Sequence, residues 1–228
     1  MEFIKRLSTR VIPVIVLDNA DDAVPLASTL ADAGLTTLEI TLRTPVAIAC
    51  IQRIHAELPQ LQLGAGTLTR VEEIDKVLTA GASFALAPGL SETLVVAARA
   101  AGLEYIPGVM TPSEVMHATE LGCRHLKLFP AEQCGGIGML KALASPFAQV
   151  SFCPTGGIDA ARAPQYLALP NVFAVGGSWM VPTVAIRERA WERIGLLAVL
   201  VASGAAVYFA SGYICGLRAR AFRMQPTI

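Results

Sequence analysis

Charge is the scarce ingredient of this chain: only 16% of its 228 residues are charged, against a hydrophobic share of 54%. Lys plus Arg equals Asp plus Glu at 18 each, so neither sign is in excess to attract nucleic acid or an acidic surface. The five cysteines (Cys50, Cys123, Cys134, Cys153, Cys215) form no CxxC pair and no Cys/His cluster of zinc-like spacing. That excludes a zinc module and reads as free thiols in a reducing compartment. No apolar h-region follows the charged start MEFIKRLSTR, so no secretory signal is read. A GxGxxG fingerprint opening the first helix is also missing, which weighs against dinucleotide binding. Scarce charge leaves a large apolar surface to place, in a packed interior, an oligomer interface or a membrane segment.

What is present is alternation. Short β-rich runs stand at Val11–Leu17, Thr37–Arg43, Leu61–Thr67, Phe84–Pro88, Tyr105–Val109, His125–Phe129, Val150–Pro154 and Val172–Val175. Stretches with apolar residues three and four apart separate them, as in Ala20–Ala33, Pro45–Leu58, Val71–Ala80, Glu92–Ala101 and Ser113–Leu121. Gly34, Gly81, Gly102 and Gly122 sit where helix C-caps belong. Strand–helix units repeated in this way predict parallel strands with right-handed crossovers. Eight of them predict a closed (β/α)8 TIM barrel in one domain over residues 1–193.

Strands buried on both faces should be nearly all Val, Ile and Leu, and polar residues that break the rule ask for a reason. In Thr37–Arg43, strand alternation sets Glu39, Thr41 and Arg43 on one face and Leu38, Ile40 and Leu42 on the other. A buried structural ion pair explains Glu39 and Arg43 as readily as a functional site does. In His125–Pro130, Lys127 shares a face with His125 and Phe129, between Leu126 and Leu128. Snorkelling is the bland account of such a lysine, but a mid-strand position leaves it little route to water. Burial disfavours an ammonium and makes the amine available as a nucleophile. Glu39 and Lys127, on the second and sixth runs, are expected to face one another across the lumen. Glycines cluster at strand ends in Gly64-Ala-Gly-Thr67, Pro154-Thr-Gly-Gly157 and Gly176-Gly-Ser178. After the seventh and eighth strands of a barrel, such loops bring backbone N–H groups close to an anion. His55 and His117 read as surface residues and Trp179 as packing.

EITLRT (39–44), GAGTL (64–68), APGL (87–90), KLFPAE (127–132), FCPTGGI (152–158) and GGSWMVP (176–182), in this order, closely resemble the bacterial KDPG/KHG aldolase family, whose substrates are 2-keto-3-deoxy-6-phosphogluconate and 4-hydroxy-2-oxoglutarate. The resemblance implies a homotrimeric cytoplasmic class I aldolase without metal or cofactor. Its substrate would be a phosphorylated keto acid, split to pyruvate and glyceraldehyde 3-phosphate in the Entner–Doudoroff route. Lys127 would be the Schiff-base lysine and Glu39 the general acid/base. Arg43, Thr67, Phe129 and Thr155 would bind substrate, while Gly156, Gly157, Gly176, Gly177 and Ser178 would cradle the phosphate. The runner-up reading is another phosphate-binding barrel, of isomerase or thiamine-phosphate synthase type, in which Lys127 would act only electrostatically. A barrel kept as a scaffold or membrane-tethered module with a residual site is a third reading.

The end of the chain departs from the family's charged terminal helix. Residues 194–217, IGLLAVLVASGAAVYFASGYICGL, contain no charge and are expected as an atypical apolar helix. At about 1.5 Å per residue it would reach roughly 36 Å, long enough for a bilayer core of about 30 Å. Membrane contact through 194–217 is expected ahead of a packing helix, because a sheath helix should keep one polar face and only Ser203, Ser211 and two tyrosines offer polarity here. Residues 218–228, with Arg218, Arg220 and Arg223, form a basic tail.

Overall fold

The computed structural model describes residues 1–203. A short helix α1 (Glu2–Lys5) precedes β1 (Val11–Ile15), α2 (Ala23–Asp32), β2 (Thr37–Thr41), α3 (Ala47–Glu57), β3 (Gln62–Gly66) and α4 (Ile74–Thr79). Then come β4 (Phe84–Leu86), α5 (Glu92–Ala100), β5 (Glu104–Ile106), β6 (Gly108–Val109), α6 (Pro112–Glu120) and β7 (His125–Leu128). The described chain ends with α7 (Gly136–Ala144), β8 (Ser151–Pro154), α8 (Ala163–Leu167), β9 (Val175–Gly177), α9 (Thr183–Arg187) and α10 (Trp191–Ala202).

Local chemistry explains where the helices begin and end. Ser91 accepts from the Leu94 amide at the start of α5, and Thr111 forms a reciprocal capping box with Glu114 at the start of α6. Gly34, Gly81, Gly102 and Gly122 follow helix ends with φ between +73° and +97°, the left-handed conformation that favours glycine.

The expected closed eight-stranded barrel is not what forms. Parallel strands make a curled six-stranded sheet in the order β5-β4-β3-β2-β1-β9, and a separate three-stranded sheet in the order β6-β7-β8. Two breaks account for the difference. Pro107 interrupts the fifth run, because proline has no N–H for a ladder; β5 pairs with β4, whereas β6 pairs with β7. Between β8 and β9 only isolated bridges remain, Phe152 to Val172 and Thr155 to Gly176. The last strand also lies three residues later than the run Val172–Val175 that announced it, and takes Gly176 and Gly177 into the sheet.

Two apolar clusters fill the molecule. The larger joins the outer faces of the strands to the helices. The smaller contains Phe3 of α1, Ile12, Phe84, Leu86, Ile106 and Cys153 from β1, β4, β5 and β8, and Ala174 just before β9. Phe3 stacks on Phe84 at 4.3 Å, and the Phe3 amide donates to Glu104. Thus α1 is pinned against the N-terminal ends of the strands, opposite the end that carries the site described below.

The atypical apolar helix expected over 194–217 is also corrected as far as residue 203. Helix α10 begins earlier, at Trp191, and ends at Ala202. It packs on α2 with Ile194 and Ala198 buried and leaves Leu196 and Val199 exposed, the one-sided burial of a sheath helix. Among the described residues no helix is long and apolar enough to cross a membrane. The remainder of that stretch and the basic tail 218–228 lie outside the described residues.

The close packing of β3 on β4 can be tested directly. A Cβ at Gly64 would stand 2.2 Å from the Phe84 ring. Gly64→Ala should therefore destabilise the fold by about 1–3 kcal/mol, as overpacked cores do, and lower the urea midpoint. An unchanged midpoint would contradict this packing.

Candidate active site

Lys127, on β7, and Glu39, on β2, come together although 88 residues separate them. The Lys127 Nζ lies 3.1 Å from Glu39 Oε1, and the two residues are 3% and 1% exposed. Those exposures exclude the snorkelling account of the lysine. Glu39 Oε2, also buried, finds no donor among the described residues and is free to accept from a substrate hydroxyl or a water. Space for the carboxylate comes from β3: a Cβ at Gly66 would lie 2.2 Å from Glu39 Oε1. Glycine in mid-strand is a packing requirement here.

Other expected residues gather at the same strand ends. The Lys127 ammonium stands 5.4 Å from the centroid of the Phe129 ring. Arg43 lies just past the end of β2 and donates from Nε to Thr67 Oγ1 at 3.1 Å. Thr67 has φ +61°, an uncommon conformation for a branched residue, and such strain collects at functional positions. Thr41, expected on the Glu39 face, is instead occupied structurally, donating to the Ile15 carbonyl at 2.9 Å.

Thr155 follows β8, is 5% exposed and bridges to Gly176 of β9. Beside Lys127 in the ladder is Cys153, whose thiol burial pushes up to about 12, so it stays protonated and inert. The four glycines of the expected cradle divide into two kinds. Gly156 and Gly157 have φ of +106° and +77°, which turns the loop after β8 sharply. Gly176 and Gly177 lie in the strand, where a side chain would meet Thr155 Oγ1 at 2.4 Å and the Trp179 ring at 1.7 Å. Packing of Thr155 and Trp179 thus accounts for their lack of a side chain. Ser178 is exposed at the end of the strand.

His125 belongs to the other end of β7. It is hydrogen-bonded to Ser151 Oγ at 2.7 Å and packs edge-on against Phe173; burial lowers its pKa. Among the described residues no group of three or more His, Cys, Asp or Glu side chains is placed to hold a metal ion. One cluster beside the site escaped the sequence reading: Glu132, Arg162 and Tyr166 join the loop after β7 to α8. Its only trace in the sequence is the glutamate of KLFPAE.

The chain is similar to known proteins over this whole region. A family model described as KDPG and KHG aldolase matches residues 3–197. The KHG/KDPG aldolase of Escherichia coli is 45% identical over 195 residues, covering 86% of this chain and 92% of that protein. The 2-dehydro-3-deoxy-phosphogluconate aldolase of Pseudoalteromonas atlantica is 43% identical over 196 residues, covering 86% and 91%. Among solved structures, a KDPG aldolase from Legionella pneumophila superposes with a TM-score of 0.84 at 45% identity, covering 86% of this chain and 95% of that one. That structure holds pyruvate captured at low pH as a covalent carbinolamine intermediate.

Gly66→Ala tests whether the contact between Lys127 and Glu39 matters to turnover. The added methyl would collide with the carboxylate and force it off the amine. Displacement of a reacting group by about 1 Å can cost roughly 10²-fold, so kcat/KM should fall by about that factor. Parental kcat/KM in this variant would show that the pair's geometry is immaterial.

Proposed function

The chain belongs to the KDPG and KHG aldolase family, and on that premise we propose that it cleaves 2-keto-3-deoxy-6-phosphogluconate to pyruvate and glyceraldehyde 3-phosphate through a Schiff base on Lys127. It is thereby a carbon–carbon lyase. The observation that carries the proposal is the buried contact of 3.1 Å between an amine and a carboxylate. An amine shielded from water beside a proton acceptor suits nucleophilic attack on a ketone. The Legionella pneumophila relative, with its carbinolamine, shows the first covalent species of such a reaction in a protein of this family.

The chemistry runs as follows. Lys127, as the neutral amine, adds to the C2 ketone. Loss of water from the carbinolamine leaves a protonated imine, an electron sink beside C3. Glu39, directly or through a water, takes the proton of the C4 hydroxyl. The C3–C4 bond then breaks, the C4 oxygen becomes an aldehyde, and the bonding pair enters an enamine. Protonation at C3 and hydrolysis of the imine release pyruvate and restore Lys127.

Arg43 and Thr67, already bonded to each other, suit the pyruvyl carboxylate, as does Thr155. Phe129 forms an apolar wall beside the imine. Gly156, Gly157, Gly176, Gly177 and Ser178 are proposed to receive the phosphate through backbone N–H groups and the serine hydroxyl. A homotrimeric assembly and a cytoplasmic setting belong to the same proposal.

Cleavage of 2-keto-3-deoxy-6-phosphogluconate, coupled to detection of pyruvate, tests the activity. Borohydride reduction with pyruvate present tests the residue. A reduced pyruvyl adduct should map to Lys127 by mass spectrometry and vanish in Lys127→Ala. An adduct on another lysine, such as Lys141, would overturn the assignment.

A further inference from the structure

Glu132 stands where the loop after β7 meets the glycines after β8, and none of the steps above uses it. The backbones of the two loops are laced together: Ala131 N donates to Thr155 O at 2.9 Å and Glu132 N to Gly156 O at 3.1 Å. A Cβ at Gly157 would lie 2.8 Å from Glu132 Cβ, so this side chain leans directly on the proposed phosphate cradle. A bare carboxylate there would repel the dianion that the cradle is to receive.

Neither oxygen is bare. Arg162 Nη1 holds Oε2 at 2.5 Å, and the Tyr166 hydroxyl donates to Oε1. Tyr166 is fully buried. Burial first, and the adjoining carboxylate second, raise its pKa far above the ordinary phenol range, so it remains a donor and adds no charge. The neighbouring acid Asp159 spends one carboxylate oxygen on the amides of Ala161 and Arg162, which holds Arg162 at the start of α8. The arginine is half-exposed and the glutamate largely covered, so the cation is the partner that could be removed without opening the core.

Resting on the reading that the loops after β8 and β9 bind phosphate, we infer that Arg162, by masking the charge of Glu132, is a positioning residue that sets the preference for phosphorylated over unphosphorylated substrate. The role is electrostatic and acts through Glu132. Removing the mask should therefore harm binding of the dianion and leave imine chemistry intact.

The test compares 2-keto-3-deoxy-6-phosphogluconate with unphosphorylated 2-keto-3-deoxygluconate in the full chain. A half-exposed pair is well screened, so Arg162→Ala should raise KM for the phosphorylated substrate by roughly 3- to 10-fold. Its kcat, and kcat/KM for the unphosphorylated substrate, should hold, and the loss should shrink as ionic strength rises. Adding Glu132→Gln to Arg162→Ala should restore the phosphate preference, because the exposed charge is gone. An unchanged KM ratio in Arg162→Ala would overturn the inference. A double variant as impaired as the single one would overturn it too, and would make Arg162 a direct phosphate ligand. If the parent enzyme uses both substrates equally, the cradle reading itself fails and takes this inference with it.

Discussion

One amine and one carboxylate, both taken out of water and held 3.1 Å apart, set the terms for the rest of this molecule. Two such charges are costly to desolvate, and the contact offsets the cost only when both partners are present. Deleting one partner of a buried pair typically costs about 3–5 kcal/mol. The surroundings are arranged to accommodate them. Gly66 leaves room for the carboxylate, Phe129 offers its ring to the ammonium, and Cys153 lies beside the lysine as a neutral thiol. The parallel strands deliver Lys127 and Glu39 from two different sheets to the same end, where the loops can bring substrate to them.

Much of this was legible in the sequence because the residues that matter break a pattern. Lys127 between two leucines and Glu39 between Leu38 and Ile40 cannot be reconciled with a purely apolar strand, and strand alternation assigns each to a face. Helix ends were readable for a similar reason, since the left-handed turn after each helix selects glycine. The ring closure was not legible. A run such as Tyr105–Val109 has β composition throughout, and one missing N–H at Pro107 decides that it becomes two strands in two sheets. The eighth run failed differently. Gly176 and Gly177 read as a loop because glycine is a poor strand residue, yet Thr155 and Trp179 fill the space their side chains would need.

Polarity alone also misjudged the end of the described chain. A helix with no charge after Arg193 can still bury one side selectively, and α10 turns Ile194 and Ala198 onto α2 while Leu196 and Val199 face outward. Periodicity of burial, rather than absence of charge, distinguishes a sheath helix from a membrane span. Glu132, Arg162 and Tyr166 were invisible for another reason: Glu132 lies 30 residues before Arg162 and 34 before Tyr166, and only the meeting of two loops makes them a unit.

The central claim is a division of labour within the buried pair: Lys127 forms the covalent bond, and Glu39 moves the proton that allows carbon–carbon cleavage. Glu39→Gln keeps the shape and removes the base, so imine trapping and turnover should separate. Borohydride with pyruvate should still label Lys127 in this variant, while kcat falls by roughly 10²–10⁴-fold, the usual contribution of a positioned acid/base. Parental turnover in Glu39→Gln would contradict the account.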